Sequence, residues 1–206
     1  MFGQAQQRYV NVEDYFEEER AAETRSEYCN GQVFAMAGAS EPHEDVAANL
    51  VMALRQQTRG RACKAYGSGL KLWIPIKKSC RYPDVSVVCG QIEFYQAERP
   101  EAILNPTVII EVLSPSTEAT DRGAKAEEYR SLPSLQEYLF VAQDRYHIEH
   151  FVRQGPQQWL MTEYDDLEAT IRLASVECQL ALVDVYYQLV FPSPTDGEQP
   201  ANNAED

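Results

Sequence analysis

The feature that most constrains this chain is a glutamate inside an apolar, β-branched run. In TVIIEVLS, residues 107–114, Glu111 is flanked by valine and isoleucine, which favour β-strands. A carboxylate buried in such a strand costs several kcal/mol unless it is paired or binds a metal. The run therefore predicts a buried strand in which Glu111 has either a basic partner or a bound cation.

A second strand is predicted by RYPDVSVVCG, in which Val85, Val87 and Val88 form a buried run. Asp84 stands at the entry to this strand, directly after a proline. A carboxylate at this position is held rigidly and can still meet solvent. The alternative is an aspartate that ends a loop and makes a local turn bond.

The segment DRGAKAEEYR predicts a helix, with Arg122 in its first turn and Lys125 and Tyr129 on one face at i and i+4. If the strand of Glu111 leads into this helix, its first half can fold back over the sheet edge. Lys125 would then reach the carboxylates. The alternative is a solvated surface lysine.

Two earlier residues are further candidates. Glu27 begins a strand of the hairpin predicted around Asn30-Gly31, a dipeptide that tolerates positive φ. His43 lies in the first turn of a predicted helix, where it either contacts a substrate phosphate or simply caps the helix.

The remaining pattern mixes helices and strands. We predict helices at about 11–22 and 41–59 and hairpin strands near 26–29 and 32–37. Further strands are predicted in RACKAYG, KLWIPI, YLFVAQ, HIEHFVR, QQWLMTEY and ATIRLA. With a strand–helix–strand unit from Val108 to Ala142, the fold class is α/β with a mixed sheet.

Length and composition predict one domain over residues 1–191, followed by a disordered acidic tail at 192–206. We find neither a run of about 18 apolar residues nor a signal peptide. The expectation is therefore a cytoplasmic protein without membrane spans. The five cysteines are scattered and odd in number, so we expect reduced thiols, with Cys89 in the core.

The net charge of −14 argues against a protein that coats nucleic acid non-specifically, because phosphate neutralisation by lysine and arginine supplies most of that affinity. Hydrolysis of a phosphodiester nevertheless needs oxygen ligands for a hard cation and a positive group to stabilise developing charge. The acids and the lysine described above provide these groups.

The strings YPDVSVVCG and VIIEVLSPSTEATDRGAKAEEYRSLPSLQEYLFVAQ, together with EYCNGQVFAMAGASEPHEDVAANL, resemble the restriction endonuclease family often labelled Uma-two, in the PD-(D/E)XK superfamily. The resemblance covers roughly residues 11–190. It implies a restriction-endonuclease-like core, with a mixed β-sheet flanked by helices and additional β-hairpins.

The resemblance also assigns roles to individual residues. Asp84 matches the metal-binding aspartate, and Glu111 matches the acid of the (D/E)XK element. The lysine expected two residues later is replaced by Leu113, which makes Lys125 the matching position. Glu27 matches the early acid of the superfamily.

The implied ion is Mg²⁺, with Mn²⁺ as a substitute, held by Asp84, Glu111, the backbone carbonyl of Val112 and Glu27. In this scheme Lys125 orients the attacking water or screens charge. The candidates for substrate contact are His43, Arg122 and Tyr129. The implied substrate is nucleic acid, in particular DNA, and the implied assembly is a homodimer.

Three hypotheses are left open. The leading one is a metal-dependent endonuclease. The second is a catalytically degenerate nuclease fold that binds nucleic acid or a protein, suggested by Leu113 and the acidic charge. The third is a structural protein whose acids are buried ion pairs. Thermal stabilisation by Mg²⁺ or Mn²⁺, lost in Asp84→Ala, separates the first from the third.

Overall fold

The computed structural model describes residues 9–36 and 38–191. The predicted acidic tail at 192–206 and the last residue of the predicted 32–37 strand lie outside the described residues. Among the described helices, none has the length and apolar character needed to cross a membrane.

The two longest helices come early in the chain, and the helices that follow are short. The helices are α1 (Val12–Ala21), α2 (Glu41–Thr58), α3 (Glu118–Thr120), α4 (Ala126–Arg130) and α5 (Leu182–Val185). A π-helical turn, Asp121–Lys125, joins α3 to α4. Helix α1 begins where the Asn11 side chain accepts a hydrogen bond from the Asp14 amide, 2.8 Å away, which satisfies an otherwise unpaired donor.

The strands form three sheets. They are β1 (Ser26–Cys29), β2 (Gln32–Ala35), β3 (Cys63–Gly67), β4 (Lys71–Ile74), β5 (Ser79–Arg81), β6 (Val85–Cys89), β7 (Ala102–Ile103), β8 (Val108–Leu113), β9 (Glu137–Ala142), β10 (Ile148–Gly155), β11 (Gln158–Tyr164), β12 (Thr170–Leu173) and β13 (Cys178–Ala181).

The six-stranded sheet has the order β11-β10-β9-β8-β6-β3. Strands β8 and β9 are parallel, and their other neighbours are antiparallel, so the sheet is mixed. Side chains alternate along β8: Val108, Ile110 and Val112 pack with α2 and the β12–β13 pair, whereas Ile109 and Leu113 pack with α4 and β4. Both faces are covered, which explains the almost continuous apolar sequence of this strand.

The five-stranded sheet has the order β2-β1-β5-β4-β7. Strand β5 of this sheet is followed, after residues 82–84, by β6 of the six-stranded sheet. The chain therefore passes from one sheet to the other at the position of Asp84. This crossing brings Glu27 of β1 close to Glu111 of β8 and to Asp84, which directly precedes β6.

The predicted α/β class with a mixed sheet flanked by helices is confirmed. The predicted helix at DRGAKAEEYR is divided into a π-helical turn and α4. The short elements β5, β7, β13 and α5 were not predicted. Each contains only 2–4 residues, too few for a periodic pattern to emerge.

The prediction of five reduced thiols is wrong for one pair. Cys63 and Cys89 form a disulfide, and both are half-buried, so Cys89 is not the core residue that was expected. They are directly opposite each other in the antiparallel pairing of β3 with β6. Spacing along the chain could not reveal this, because the strand register creates the contact. Cys29, Cys80 and Cys178 are free thiols.

Candidate active site

Strand register brings Asp84 and Glu111 together. Val85 lies opposite Ile110 in the antiparallel pairing of β6 with β8, so the next residues in register are Asp84 and Glu111. The Asp84 amide lies 3.4 Å from Glu111 Oε2, and the Val112 amide donates to Asp84 Oδ2 at 2.8 Å. The two acids therefore belong to one rigid piece of sheet.

Glu111 is almost completely buried, with 2% of its surface exposed. The Tyr129 hydroxyl donates to Glu111 Oε1, which holds the carboxylate in one orientation. Burial, assisted by the negative charges of Asp84 and Asp121, raises the pKa of Glu111 well above its usual range, although the nearby Lys125 ammonium opposes this shift. The carboxylate thus lacks sufficient positive charge around it.

Lys125 is the central cation of the site. It ends the π-helical turn, in which the Ala126 amide donates to the Asp121 carbonyl. Its Nζ lies 2.9 Å from Asp121 Oδ1, 3.4 Å from Glu27 Oε1 and 3.7 Å from Glu111 Oε1. Burial lowers the pKa of Lys125, but these three carboxylates outweigh burial and raise it above its usual value. Lys125 is therefore a buried cation rather than a surface charge.

Glu27 reaches the site from the other sheet. Arg81 Nη1 donates to Glu27 Oε2 at 2.8 Å, and the opposite side of the guanidinium makes two bonds to Glu128. Ser79 also donates to Glu128. Arg81 thus holds Glu27 in place, and the positive charge of Arg81 is shared between Glu27 and Glu128.

Sequence reasoning missed Asp121, Arg81 and Glu128. Asp121 is 2% exposed and forms an i, i+4 pair with Lys125. That spacing within DRGAK was a usable signal. No comparable signal pointed to Arg81 and Glu128, because their contact joins residues 47 positions apart.

His43 lies beside Asp84, as its place in the first turn of α2 allows. Its Nε2 is 3.4 Å from Asp84 Oδ2, and its buried Nδ1 has no hydrogen-bond partner among the described residues. Burial lowers the pKa of His43, but the hydrogen bond and charge of Asp84 raise it to above its usual value overall. The imidazole therefore borders the same cleft as the acids.

The predicted substrate contacts of Arg122 and Tyr129 are not supported by their positions. Tyr129 is fully buried behind Glu111. Arg122 is not among the described residues that line the cleft; it binds Glu118 and Glu149 and lies over the ring of Phe140. Both residues hold neighbouring groups in place instead of presenting a surface to a ligand.

A histidine and two glutamates outside the cleft also bring ligand atoms within 4.8 Å of one another: His147, Glu149 and Glu163. Two of them already have close polar partners. Arg122 Nη2 lies 2.6 Å from Glu149 Oε1, and His147 Nδ1 lies 2.6 Å from Asp165 Oδ1. We therefore assign no metal to this group.

The Val112 carbonyl is also directed toward the acids. In an extended strand the N–H and C=O of one residue point to the same side. The Val112 amide donates to Asp84, so its carbonyl is on the Asp84 side of β8. Val112 accordingly lines the cleft.

The donor set fits a hard divalent cation. Four of the carboxylates that line the cleft, which has a volume of about 1030 Å³, lie around Lys125 and Asp84: those of Glu27, Asp84, Glu111 and Asp121. Carboxylate and carbonyl oxygens are the ligands that Mg²⁺ prefers. Burial is the main cause of the raised pKa of Glu111, and the negative charges of Asp84 and Asp121 add to it; a bound cation would counteract both effects. Asp84, Glu111, Glu27 and the Val112 carbonyl are the groups that could hold it.

Comparisons with known proteins identify the family and two relatives. The model of the Uma2 family, described as “Putative restriction endonuclease”, matches residues 12–183. Uncharacterized protein sll1609 from Synechocystis sp. is 36% identical over 154 residues, which cover 75% of this chain and 86% of that protein. Uncharacterized protein slr1290 from the same organism is 32% identical over 182 residues, with coverages of 88% and 94%.

A solved structure shares the fold. The crystal structure of a “putative nuclease belonging to DUF820” from Anabaena variabilis has a TM-score of 0.68 at 18% identity, and the match covers 85% of this chain and 97% of that chain. This likeness supports the architecture derived above. On the extent of the family match, this chain belongs to the Uma2 family.

Proposed function

We propose that this protein is a metal-dependent phosphodiesterase that hydrolyses nucleic acid, with DNA as its substrate and Mg²⁺ as its ion. The observation that carries the proposal is the buried Glu111 carboxylate, which faces Asp84 across the strands; its one ion pair among the described residues is with Lys125, which it shares with two further acids. Membership in a family described as restriction endonucleases agrees with this chemistry.

Each residue has a role in this mechanism. Asp84, Glu111 and the Val112 carbonyl would hold the ion, with Glu27 as a further ligand. When bound, a divalent cation lowers the pKa of a coordinated water and stabilises charge on a phosphoryl oxygen. Lys125 is close enough to the acids to orient the attacking water and to screen charge that develops on the phosphate.

Three further residues position these groups. Tyr129 holds Glu111 through its hydroxyl, Arg81 holds Glu27, and Asp121 holds Lys125. Positions fixed in this way reduce the reorganisation needed when charge develops.

The test combines metal binding with cleavage. We expect Mg²⁺ or Mn²⁺ to raise the melting temperature of the wild-type protein, because a ligand that binds only the folded state stabilises it. Asp84→Ala and Glu111→Ala should abolish this rise and also abolish cleavage of DNA oligonucleotides.

The matched control is Asp144→Ala. Asp144 is an exposed acid paired with Arg145 outside the cleft, so its removal should leave both the metal response and cleavage intact. Wild-type protein that shows no thermal response to either metal and cuts neither DNA nor RNA would refute the proposal.

A second candidate function rests on Leu113. This residue occupies the position where the superfamily pattern has its lysine, and it is packed in the core with 5% of its surface exposed, so it can hold neither a charge nor a water. A degenerate fold that only binds nucleic acid would bind without metal and retain that binding in Asp84→Ala. Cleavage that requires Lys125 would exclude this candidate.

Three broader expectations stay predictions: two come from the sequence itself, and the homodimer comes from the family resemblance alone. They are a single domain over residues 1–191, a homodimer with two sites for two strands, and a cytoplasmic location. Light scattering on the purified protein would test the homodimer.

A further inference from the structure

The cleft has an aromatic rim beside the acids. Phe34 lies directly opposite Glu27 in the antiparallel pairing of β1 with β2, so the two side chains are on the same face with Cβ atoms about 5 Å apart. Phe34 is 42% exposed and lines the cleft, together with Met36. An apolar ring thus lies one strand away from a proposed metal ligand.

The charge of the cleft is unsuited to a duplex. Five acids and three bases are among the described residues that line it: Glu27, Glu44, Asp84, Glu111, Asp121, Arg25, Arg81 and Lys125. Arg81 and Lys125 are buried and occupied by carboxylates. Binding of duplex DNA through two phosphate backbones depends on neutralisation by several basic side chains, which this lining does not provide.

Stacking of bases on aromatic side chains can supply affinity for nucleic acid where a protein contacts few phosphates. Proteins that bind single strands stack bases on aromatic side chains, and every base has a face that can stack. In a duplex both faces of an internal base are covered by its neighbours. Only an unpaired or terminal base can therefore lie against Phe34 while its phosphate reaches a cation that Glu27 and Glu111 would hold.

We propose that the cleft takes single-stranded nucleic acid, with one unpaired base stacked on Phe34 and the adjacent phosphate at the cation that the acids would hold. This inference rests on the proposed hydrolytic function and specifies its substrate class. Arg25 at the cleft mouth, whose guanidinium lies over the Tyr82 ring, is the basic residue best placed to meet a neighbouring phosphate.

The first measurement is binding. A single-stranded DNA oligonucleotide carrying one 2-aminopurine loses fluorescence when that base stacks on an aromatic ring. We expect quenching with the wild-type protein, loss of quenching with Phe34→Ala, and recovery with Phe34→Trp. The matched control is Leu160→Ala, which removes an exposed apolar side chain, 56% exposed, from β11 of the other sheet. Melting temperatures check that each variant is folded.

The second measurement is cleavage with Mn²⁺ of the same oligonucleotide, either single-stranded or annealed to its complement. The single strand should be cut at least about tenfold more efficiently. Phe34→Ala should raise KM for it by about tenfold with kcat little changed, the size expected for losing one base–aromatic stack. The dependence of binding on salt should be shallow, about that of one or two phosphate contacts.

The outcomes separate this inference from the proposed function. Equal cleavage of duplex and single strand, with Phe34→Ala behaving like Leu160→Ala, overturns the single-strand inference and leaves hydrolysis intact. Quenching that depends on Phe34 without any cleavage supports base binding and counts against hydrolysis. If the wild-type protein shows neither quenching nor cleavage, both proposals are rejected.

Discussion

Two buried glutamates on neighbouring strands, Glu111 on β8 and Glu137 on β9, have opposite electrostatic surroundings. Glu137 is 1% exposed, lies 2.6 Å from His150 Nε2 and accepts a hydrogen bond from the Ser175 amide. Burial raises the pKa of Glu137, but these two partners outweigh it and lower the pKa overall. The pKa of Glu111 is raised instead.

The contrast shows that burial alone does not identify a functional acid. Both residues lie at strand positions that exclude water, and both have partners. Glu137 has partners that satisfy its charge, whereas Glu111 is close to two more carboxylates, Asp84 and Asp121, and shares Lys125 with others. An acid left with surplus negative charge is a candidate for binding a cation, because such imbalance is more common at functional sites.

The largest effect is expected on the cleavage rate when Lys125, the cation shared by three carboxylates, is removed. Lys125→Ala should reduce cleavage at saturating Mn²⁺ by about 10²–10³-fold, because the residue acts on charge that develops in the transition state. The rise in melting temperature with metal should remain, since the carboxylates that hold the ion are intact. The rate is measured on a labelled single strand under single-turnover conditions.

The control for this prediction is Lys77→Ala, which breaks an exposed pair with Glu127 outside the cleft. Its cleavage rate should match the wild type. If Lys125→Ala lost metal affinity and rate in equal measure, the lysine would be part of the ion site rather than a separate participant.

A smaller effect, on the free energy of unfolding, is expected for Glu137, the buried acid whose partners satisfy its charge. Glu137→Gln should lower the free energy of unfolding by about 2 kcal/mol at pH 7, because hydrogen bonds to a charged group are lost in a buried place. The stabilisation by Mn²⁺ should be unchanged. Urea denaturation with and without the metal measures both quantities, and a loss of the metal response in this variant would mean that the two clusters are coupled.

The sequence allowed much of this contrast to be anticipated, but not all of it. Glu111 was found because its apolar run is continuous, and Asp84 because a proline marks the strand entry. The partner of each acid depends on register and on the crossing between sheets. Asp121 and Arg81 were missed for that reason, and so was the disulfide between the paired strands β3 and β6.

The same limit applies to the fold. Long strands with several apolar residues, such as β8 to β11, were predicted with close boundaries. The three-residue strand β5 was not, although it carries Arg81 and leads directly to Asp84. A strand this short is stabilised by its neighbours β1 and β4, and tertiary contacts of that kind leave no local pattern.

Unlike Glu137→Gln, Glu111→Gln is expected to stabilise the folded protein in metal-free buffer. An acid whose pKa is raised by folding destabilises the folded state when it is ionised, by about 1.4 kcal/mol for each unit of the rise. The glutamine removes this penalty and can still accept from the Tyr129 hydroxyl. The melting temperature in EDTA should therefore increase, while the rise caused by Mn²⁺ disappears. A fall in EDTA would place Glu111 in the same class as Glu137.

The smallest effect is the pH dependence of the contribution of Glu137 to the free energy of unfolding. Because the folded pKa of Glu137 is lowered, its ionised form stabilises the protein above the unfolded pKa of about 4.3, and this contribution is lost as pH falls through the folded pKa. The difference in unfolding free energy between the wild type and Glu137→Gln should stay constant between pH 8 and 6, shrink by about 0.5 kcal/mol by pH 4, and shrink further below it. A difference that grew on acidification would show that His150, rather than Glu137, controls the pair.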